Sequence, residues 1–185
     1  MLKKLSGILL ILIAAGIIWF ACNADSISRK YIYPTEYSGF VEQASAETGI
    51  DRYLIYAVIK TESGFDENAE SNVGARGLMQ LMEDAFDWVK FRMGDERNIG
   101  YDDMYDPKYN IEYGSYLIKL LYEEYGDVET ALAAYHSGRG SVNEWLDDPK
   151  YSRDGKTLDD IPSSTTKHYV NKVMTAYEGY TNLYG

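Results

Sequence analysis

Cysteine is almost absent from this sequence of 185 residues, in which Cys22 is the only one. A single cysteine excludes an intramolecular disulfide, so packing has to hold the fold together. Proline is also scarce, and four prolines exclude a collagen-like or linker-rich chain. Hydrophobic residues make up 45% of the chain, which excludes a disordered protein. About 160 residues follow the N-terminal segment, enough for one domain with a hydrophobic core.

Basic residues are outnumbered, with 18 Lys and Arg against 29 Asp and Glu and a net charge of −11. Nucleic-acid binding needs clustered basic side chains for the phosphates, so no nucleic-acid partner is expected. His136 and His168 are the only histidines, and they lack the His-Glu-x-x-His spacing of a zinc site. The sequence also lacks an Asp-rich calcium loop and a Gly-rich phosphate loop. We therefore expect neither a metal nor a cofactor.

The N-terminus resembles a membrane-targeting segment, because Lys3 and Lys4 precede an uncharged, mostly apolar stretch from Leu5 to Cys22. About 18 such residues approach the length of a membrane span, and the positive flank keeps the N-terminus in the cytoplasm. We predict a signal-anchor or transmembrane segment at residues 1–24 and a tether at residues 25–35. Cleavage after Ala24 and lipidation of Cys22 are the alternatives to an uncleaved anchor. Each places a domain of residues 36–185 on the extracytoplasmic side of the cell membrane.

Residues 36–185 are predicted to form an all-α domain, because no stretch sustains the alternation typical of a strand. Aspartates that precede apolar periodic segments, and glycines that follow them, mark the helix ends. Long polar stretches between helices are loops that could flank a cleft. The predicted helices are 35–48, 51–62, 78–89, 106–125, a segment starting at Asp127, a short one around Val142 and Trp145, and 166–180.

Glu62 continues the apolar stripe of the second predicted helix, at +7 from Ile55. A carboxyl on such a face is partly desolvated, which raises its pKa toward the value that a general acid needs at neutral pH. Two other interpretations stay open at this point. Glu62 could pair with a buried Lys or Arg, or it could lie in water at the helix end.

Five segments resemble, in order, the motifs of the soluble lytic transglycosylase family, whose fold is lysozyme-like. The first surrounds Glu62, and the resemblance covers residues 46–180, roughly three-quarters of the chain. Such an ordered series is far more specific than any one pentapeptide. The segments are Thr61-Glu62-Ser63-Gly64-Phe65, residues 71–82, residues 110–117, residues 131–138, and Ile161-Pro162 followed by Thr166, Tyr169 and Val170.

The resemblance implies a peptidoglycan-cleaving lyase with Glu62 as acid and then base, acting on glycan strands as a monomer. Glu62 would protonate the bond between N-acetylmuramic acid and N-acetylglucosamine. It would then deprotonate the C6 hydroxyl of the muramic acid, so that a 1,6-anhydro end forms without water. Tyr135 would orient Glu62. The substrate-binding residues implied by the family are Ser71, Met79, Gln80, Tyr135, His136 and Tyr169.

The sequence departs from the family's pattern at three positions. His136 and Ser137 stand where Asn and Ala are usual, and Thr165 stands where many members carry a second glutamate. A histidine there could alter the pH dependence or serve as a passive hydrogen-bond partner.

Two other functions fit the same fold. A hydrolase would need a second carboxylate, for which Asp66, Glu67 and Glu70 are candidates, although they are typical of a solvated loop. A non-catalytic wall-binding module would use the groove without cutting the glycan.

Overall fold

The computed structural model describes the backbone of residues 2–185 and the side chains of residues 13–19 and 22–185. The chain divides into two compact units, Met1–Thr35 and Glu36–Gly185. Residues 36–185 contain the whole of the region that resembles the transglycosylase motifs.

The first unit is helical for most of its length. Helix α1 covers Leu2–Ile27, and a π-helix covers Ser28–Ile32. The segment predicted as an irregular tether is therefore helical as far as Ile32, because no helix-breaking residue occurs before Pro34. The predicted membrane segment falls largely on residues 1–12, 20 and 21, whose side chains lie outside the described residues. Within the described residues, no helix has both the length and the apolarity needed to cross a membrane.

The second unit is built from helices, and its described residues form no β-strand, only two isolated bridges at Arg76. The prediction of an all-α domain is confirmed. The helices are α2 (Ser38–Thr48), α3 (Arg52–Glu62), α4 (Glu83–Met93), a 3-10 helix (Tyr101–Tyr105), α5 (Pro107–Tyr125), α6 (Val128–Ser137), α7 (Arg139–Leu146) and α8 (Ser164–Tyr184).

Side-chain caps begin four of these helices. Asp51, Asp106 and Asp127 accept hydrogen bonds from backbone N–H groups at the starts of α3, α5 and α6. Ser163 does the same for α8. Each such cap stabilises its helix by about 1 kcal/mol. The starts of α3, α5 and α6 agree with those predicted from their aspartates, whereas α8 begins two residues before the predicted Thr166.

Helix α3 packs between α2 and α8, while α5 packs against α2 and α6, and α6 also contacts α8. The apolar faces of these helices form a core that includes the fully buried Ile55, Ile59 and Ile111. This arrangement brings the C-terminal end of α3, with Glu62, close to side chains of α6 and α8.

The helix predicted at residues 78–89 begins only at Glu83. Residues 78–82 form a loop, because Gly77 and Gln80 have positive φ angles of 72° and 48°, which a right-handed helix cannot contain. Leu78, Met79 and Leu81 are nevertheless buried, with exposures of 0%, 0% and 1%. Their burial produced the apolar pattern that resembled a helix.

Candidate active site

Glu62 is the last residue of α3 and stands at the end of a buried stripe that includes Ile55, Val58 and Ile59. The residue is half-buried. Burial raises the pKa of its carboxyl to about 7, although Tyr169 and the positive charge of Lys172 oppose this shift. The described residues contain no ion pair that involves Glu62. Glu62 is therefore neither a structural ion-pair member nor a fully solvated helix end, and its pKa suits proton transfer near neutral pH.

Tyr169 of α8 and Tyr135 of α6 lie beside the Glu62 carboxyl. Burial, and then the negative field of Glu62, raise the pKa of both phenols well above the usual value, so both stay neutral. The Tyr135 hydroxyl donates a 2.6 Å hydrogen bond to the carbonyl of Met79. The Tyr169 hydroxyl is buried and makes no hydrogen bond of ordinary geometry within the described part of the chain. Its hydrogen is therefore available to the Glu62 carboxylate.

Ser63 joins the end of α3 to the loop that covers it. Its hydroxyl donates to the carbonyl of Leu78 over 2.8 Å and accepts the N–H of Phe65 over 3.1 Å. Gly64 and Phe65 both have positive φ angles, of 61° and 73°, which turn the chain sharply away from the helix. The chain therefore changes direction directly after Glu62.

Asn110 organises the same loop from the first turns of α5, a role that the sequence did not reveal. Its side chain is fully buried, accepts the N–H of Met79 over 2.7 Å, and donates to the carbonyls of Arg76 and Met104. A Cβ at Gly77 would lie 2.2 Å from the Met104 carbonyl, so only glycine fits there. The sequence feature that could have indicated this role is a polar residue on the buried face of a predicted helix, because buried polar groups are normally hydrogen-bonded.

The three residues predicted to line a groove from this loop also shape the loop itself. Ser71 accepts the N–H of Ala75, and the Gln80 amide donates to the carbonyls of Ala69 and Gly77. Both are half-buried, so contacts of Ser71 and Gln80 with a ligand stay predictions. Met79 is fully buried, and a contact of its side chain with a ligand likewise stays a prediction.

His136 is exposed and lies against Tyr169, with 4.5 Å between the ring centroids. Its Nδ1 is 3.2 Å from the hydroxyl of Thr166 at the start of α8. Burial lowers the pKa of the imidazole. The fold thus brings together four of the predicted site residues, namely Glu62, Tyr135, His136 and Tyr169, while Ser71 and Gln80 belong to the neighbouring loop.

The acids that follow Glu62 take part in local contacts. Glu67 accepts the hydroxyl of Tyr37 over 3.0 Å, Asp66 accepts the N–H of Asn68, and Glu70 lies 3.9 Å from Arg76. The described residues contain no group of His, Cys, Asp and Glu side chains arranged to hold a metal ion. The site therefore offers one carboxyl with a pKa near neutrality, flanked by two neutral tyrosines, which can donate a proton and then take one back.

Residues 39–158 match a family model described as the transglycosylase SLT domain. The transglycosylase of Enterobacteria phage PRD1 is 39% identical over 100 residues, which cover 54% of this chain and 34% of the phage protein. The soluble lytic murein transglycosylase of Salmonella typhimurium is 31% identical over 170 residues, which cover 90% of this chain and 25% of that protein. The chain thus spans about a third or a quarter of the length of these curated relatives.

Two solved structures share the fold. The lytic transglycosylase Slt of Pseudomonas aeruginosa, solved as an inactive Glu-to-Gln mutant, superposes with a TM-score of 0.71 at 26% identity. That match covers 92% of this chain and 29% of the other. The 70 kDa soluble lytic transglycosylase of Escherichia coli gives a TM-score of 0.74 at 24% identity, covering 83% of this chain and 25% of the other. The lysozyme-like helical fold implied by the motifs is confirmed.

Proposed function

Since the chain belongs to the transglycosylase SLT-domain family, we propose that it cleaves peptidoglycan glycan strands as a lytic transglycosylase. The bond cut is the β-1,4 bond between N-acetylmuramic acid and N-acetylglucosamine, and the product carries a 1,6-anhydro end. The observation that supports this most directly is the Glu62 carboxyl, whose pKa of about 7 lets one group serve as acid and as base.

The reaction needs two proton transfers at Glu62. The neutral carboxyl gives its proton to the glycosidic oxygen as the bond to the anomeric carbon breaks, and the N-acetylglucosamine end leaves as an alcohol. The muramic acid's own acetamido group stabilises the positive charge that remains. The Glu62 carboxylate then takes the proton of the C6 hydroxyl, whose oxygen bonds to the anomeric carbon. The carboxyl is regenerated, and no water is consumed.

Tyr169 and Tyr135 can each hydrogen-bond one protonation state of Glu62. The Tyr169 hydroxyl has a free hydrogen and can donate to the carboxylate, which stabilises the base form. The Tyr135 hydroxyl already donates to Met79, so it can only accept from the neutral acid. Ser71, Gln80 and His136 complete the proposed glycan contacts.

We also propose that the enzyme acts as a monomer held at the outer side of the cell membrane by its N-terminal segment. The apolar run from Leu5 to Cys22 and its basic flank support this location. The grouping of Glu62, Tyr135 and Tyr169 from one chain supports a monomeric site.

Mass analysis of the products released from purified peptidoglycan tests the proposal. The parent protein should yield 1,6-anhydro ends, and Glu62→Gln should lower the rate about 10²–10⁴-fold because general acid–base catalysis is lost. Glu67→Gln is the matched control, since its amide can still accept from Tyr37, and it should keep the parent rate. Reducing ends in place of anhydro ends would establish a hydrolase, and binding without release would establish a non-catalytic module.

A further inference from the structure

A chain of hydroxyl groups holds the His136 imidazole at the start of α8. His136 Nδ1 lies 3.2 Å from Thr166 Oγ1, which in turn lies 3.0 Å from Ser163 Oγ. Ser163 Oγ is 2.9 Å from Thr165 Oγ1. Thr166 is buried, whereas Thr165, the last hydroxyl of this series, is exposed.

Each hydroxyl in this series has one hydrogen to donate, and this determines the direction of the hydrogen bonds. Ser163 is the N-cap of α8, so its oxygen already accepts the N–H of Thr166 over 3.3 Å. The Thr166 hydroxyl donates its single hydrogen to the same oxygen. Ser163 then has its own hydrogen free for Thr165, and Thr166 Oγ1 is left as an acceptor for His136. The proton of the neutral ring therefore belongs on Nδ1, since the hydrogen bond of one ring nitrogen fixes the tautomer.

We propose that His136 presents an unprotonated Nε2 at the surface beside Tyr169 as a hydrogen-bond acceptor for an uncharged amide N–H group of the glycan, which can only donate, and that protonation of the ring abolishes this contact. The inference rests on the proposed function, because it assigns an atom and a substrate group within that site. His136 is exposed, and its Nε2 has no partner among the described side chains, so a ligand can reach it. The Tyr169 ring packs against the imidazole at an angle of 31° between the ring planes and restricts its orientation.

The groups around His136 allow its protonation to be distinguished from that of Glu62. Tyr169 of α8 is the titratable side chain whose ring packs against the imidazole, and its phenol stays neutral. Glu62 of α3 and Lys172 of α8 lie beyond Tyr169, and the charge of Lys172 lowers the pKa of Glu62. Arg139 of α7 is paired with Glu124 of α5 over 2.7 Å. Burial is the one cause that lowers the His136 pKa, so the neutral ring predominates at neutral pH.

The tautomer can be measured directly by ¹⁵N NMR of the full-length, histidine-labelled protein in detergent micelles. The chain has two histidines, so a His168→Gln variant assigns both signals. We expect a protonated Nδ1 for His136 at pH 8, and loss of this preference in Thr166→Val. A protonated Nε2 in the parent protein would overturn the inference.

Kinetics on soluble, uncrosslinked glycan strands test the contact itself. In the parent protein, KM should rise as the pH falls through the His136 pKa, because the protonated ring has no acceptor. His136→Asn keeps a neutral acceptor and should remove this rise. His136→Phe keeps a ring against Tyr169 without an acceptor and should raise KM about fivefold at every pH.

Equal pH dependence of KM in the parent and His136→Asn proteins would overturn the proposed contact. The difference between these two proteins isolates His136, because both retain Glu62. Failure of the proposed function would look different: the parent protein would release no anhydro ends, while the NMR result would be unaffected.

Discussion

The hydroxyl of Tyr135 donates to the main-chain carbonyl of Met79, a residue 56 positions earlier in the chain. This bond ties α6 to the loop over α3, next to the Glu62 carboxyl. It also commits the only hydrogen of the hydroxyl, so Tyr135 and Tyr169 differ in what they can offer to Glu62. The two phenols are chemically identical, but in the proposed mechanism they serve opposite protonation states of the acid.

Replacing Tyr135 by Phe removes this bond and leaves the Met79 carbonyl without its partner. We expect the free energy of unfolding to fall by about 1–3 kcal/mol, and turnover to fall because the loop beside Glu62 loosens. Denaturant unfolding and kcat on glycan strands measure the two effects. Tyr177→Phe is the control, since it removes a hydrogen bond to the exposed Asp51 at the other end of α3. An unchanged unfolding midpoint in Tyr135→Phe would show that the Met79 contact does not stabilise the fold.

Replacing Glu62 by Gln should stabilise the protein above pH 7. The folded state raises the carboxyl pKa from 4.5 to about 7, so the folded protein binds more protons than the unfolded chain between these values. The free energy of unfolding of the parent protein therefore decreases as the pH rises through this window. Gln carries no charge, so the variant lacks this decrease. Thermal unfolding of both proteins at pH 4 and pH 8 should show a gap at pH 8 that closes at pH 4, and a constant gap would contradict the raised pKa.

Replacing Lys172 by Met should shift the basic limb of the kcat/KM profile to higher pH. Lys172 is exposed, lies one helical turn after Tyr169, and favours the charged form of Glu62. Its removal raises the Glu62 pKa by less than about one unit, since exposed charges interact weakly. Lys167→Met is the control, because Lys167 pairs with Asp160 over 2.6 Å. A shift of equal size in both variants would show that net charge, and not the position of Lys172, is responsible.

The parts of the fold that local chemistry determines were predictable from the sequence. Aspartate caps located the starts of α3, α5 and α6, and the stripe of α3 identified Glu62 as a desolvated acid. The loop at residues 78–82 was predicted wrongly as helix because its apolar spacing imitates a helix. One of its hydrogen bonds goes to Asn110, 31 residues from Met79, and another to Tyr135, 56 residues away, and no local pattern can show partners at such distances.

The sequence predicted which side chains lie together at the candidate site, but not the hydrogen bonds that each of them makes. The motifs named Glu62, Tyr135, His136 and Tyr169 together, and the fold brings them together. The motifs named Met79 as a groove residue, and they did not indicate that its side chain packs against Gly114 or that its carbonyl accepts the Tyr135 hydroxyl. A sequence does not distinguish a residue used for its side chain from one used for its backbone.

The contact between Met79 and Gly114 should restrict which residues occur at these two positions in the family. A Cβ at position 114 would lie 2.5 Å from the Met79 sulfur, which is closer than packed atoms tolerate. A lineage that acquires a larger residue at 114 must therefore shorten the side chain at 79 to keep the Tyr135 hydrogen bond. Positions 79 and 114 should thus vary as a pair among homologues, because each limits the size of the other.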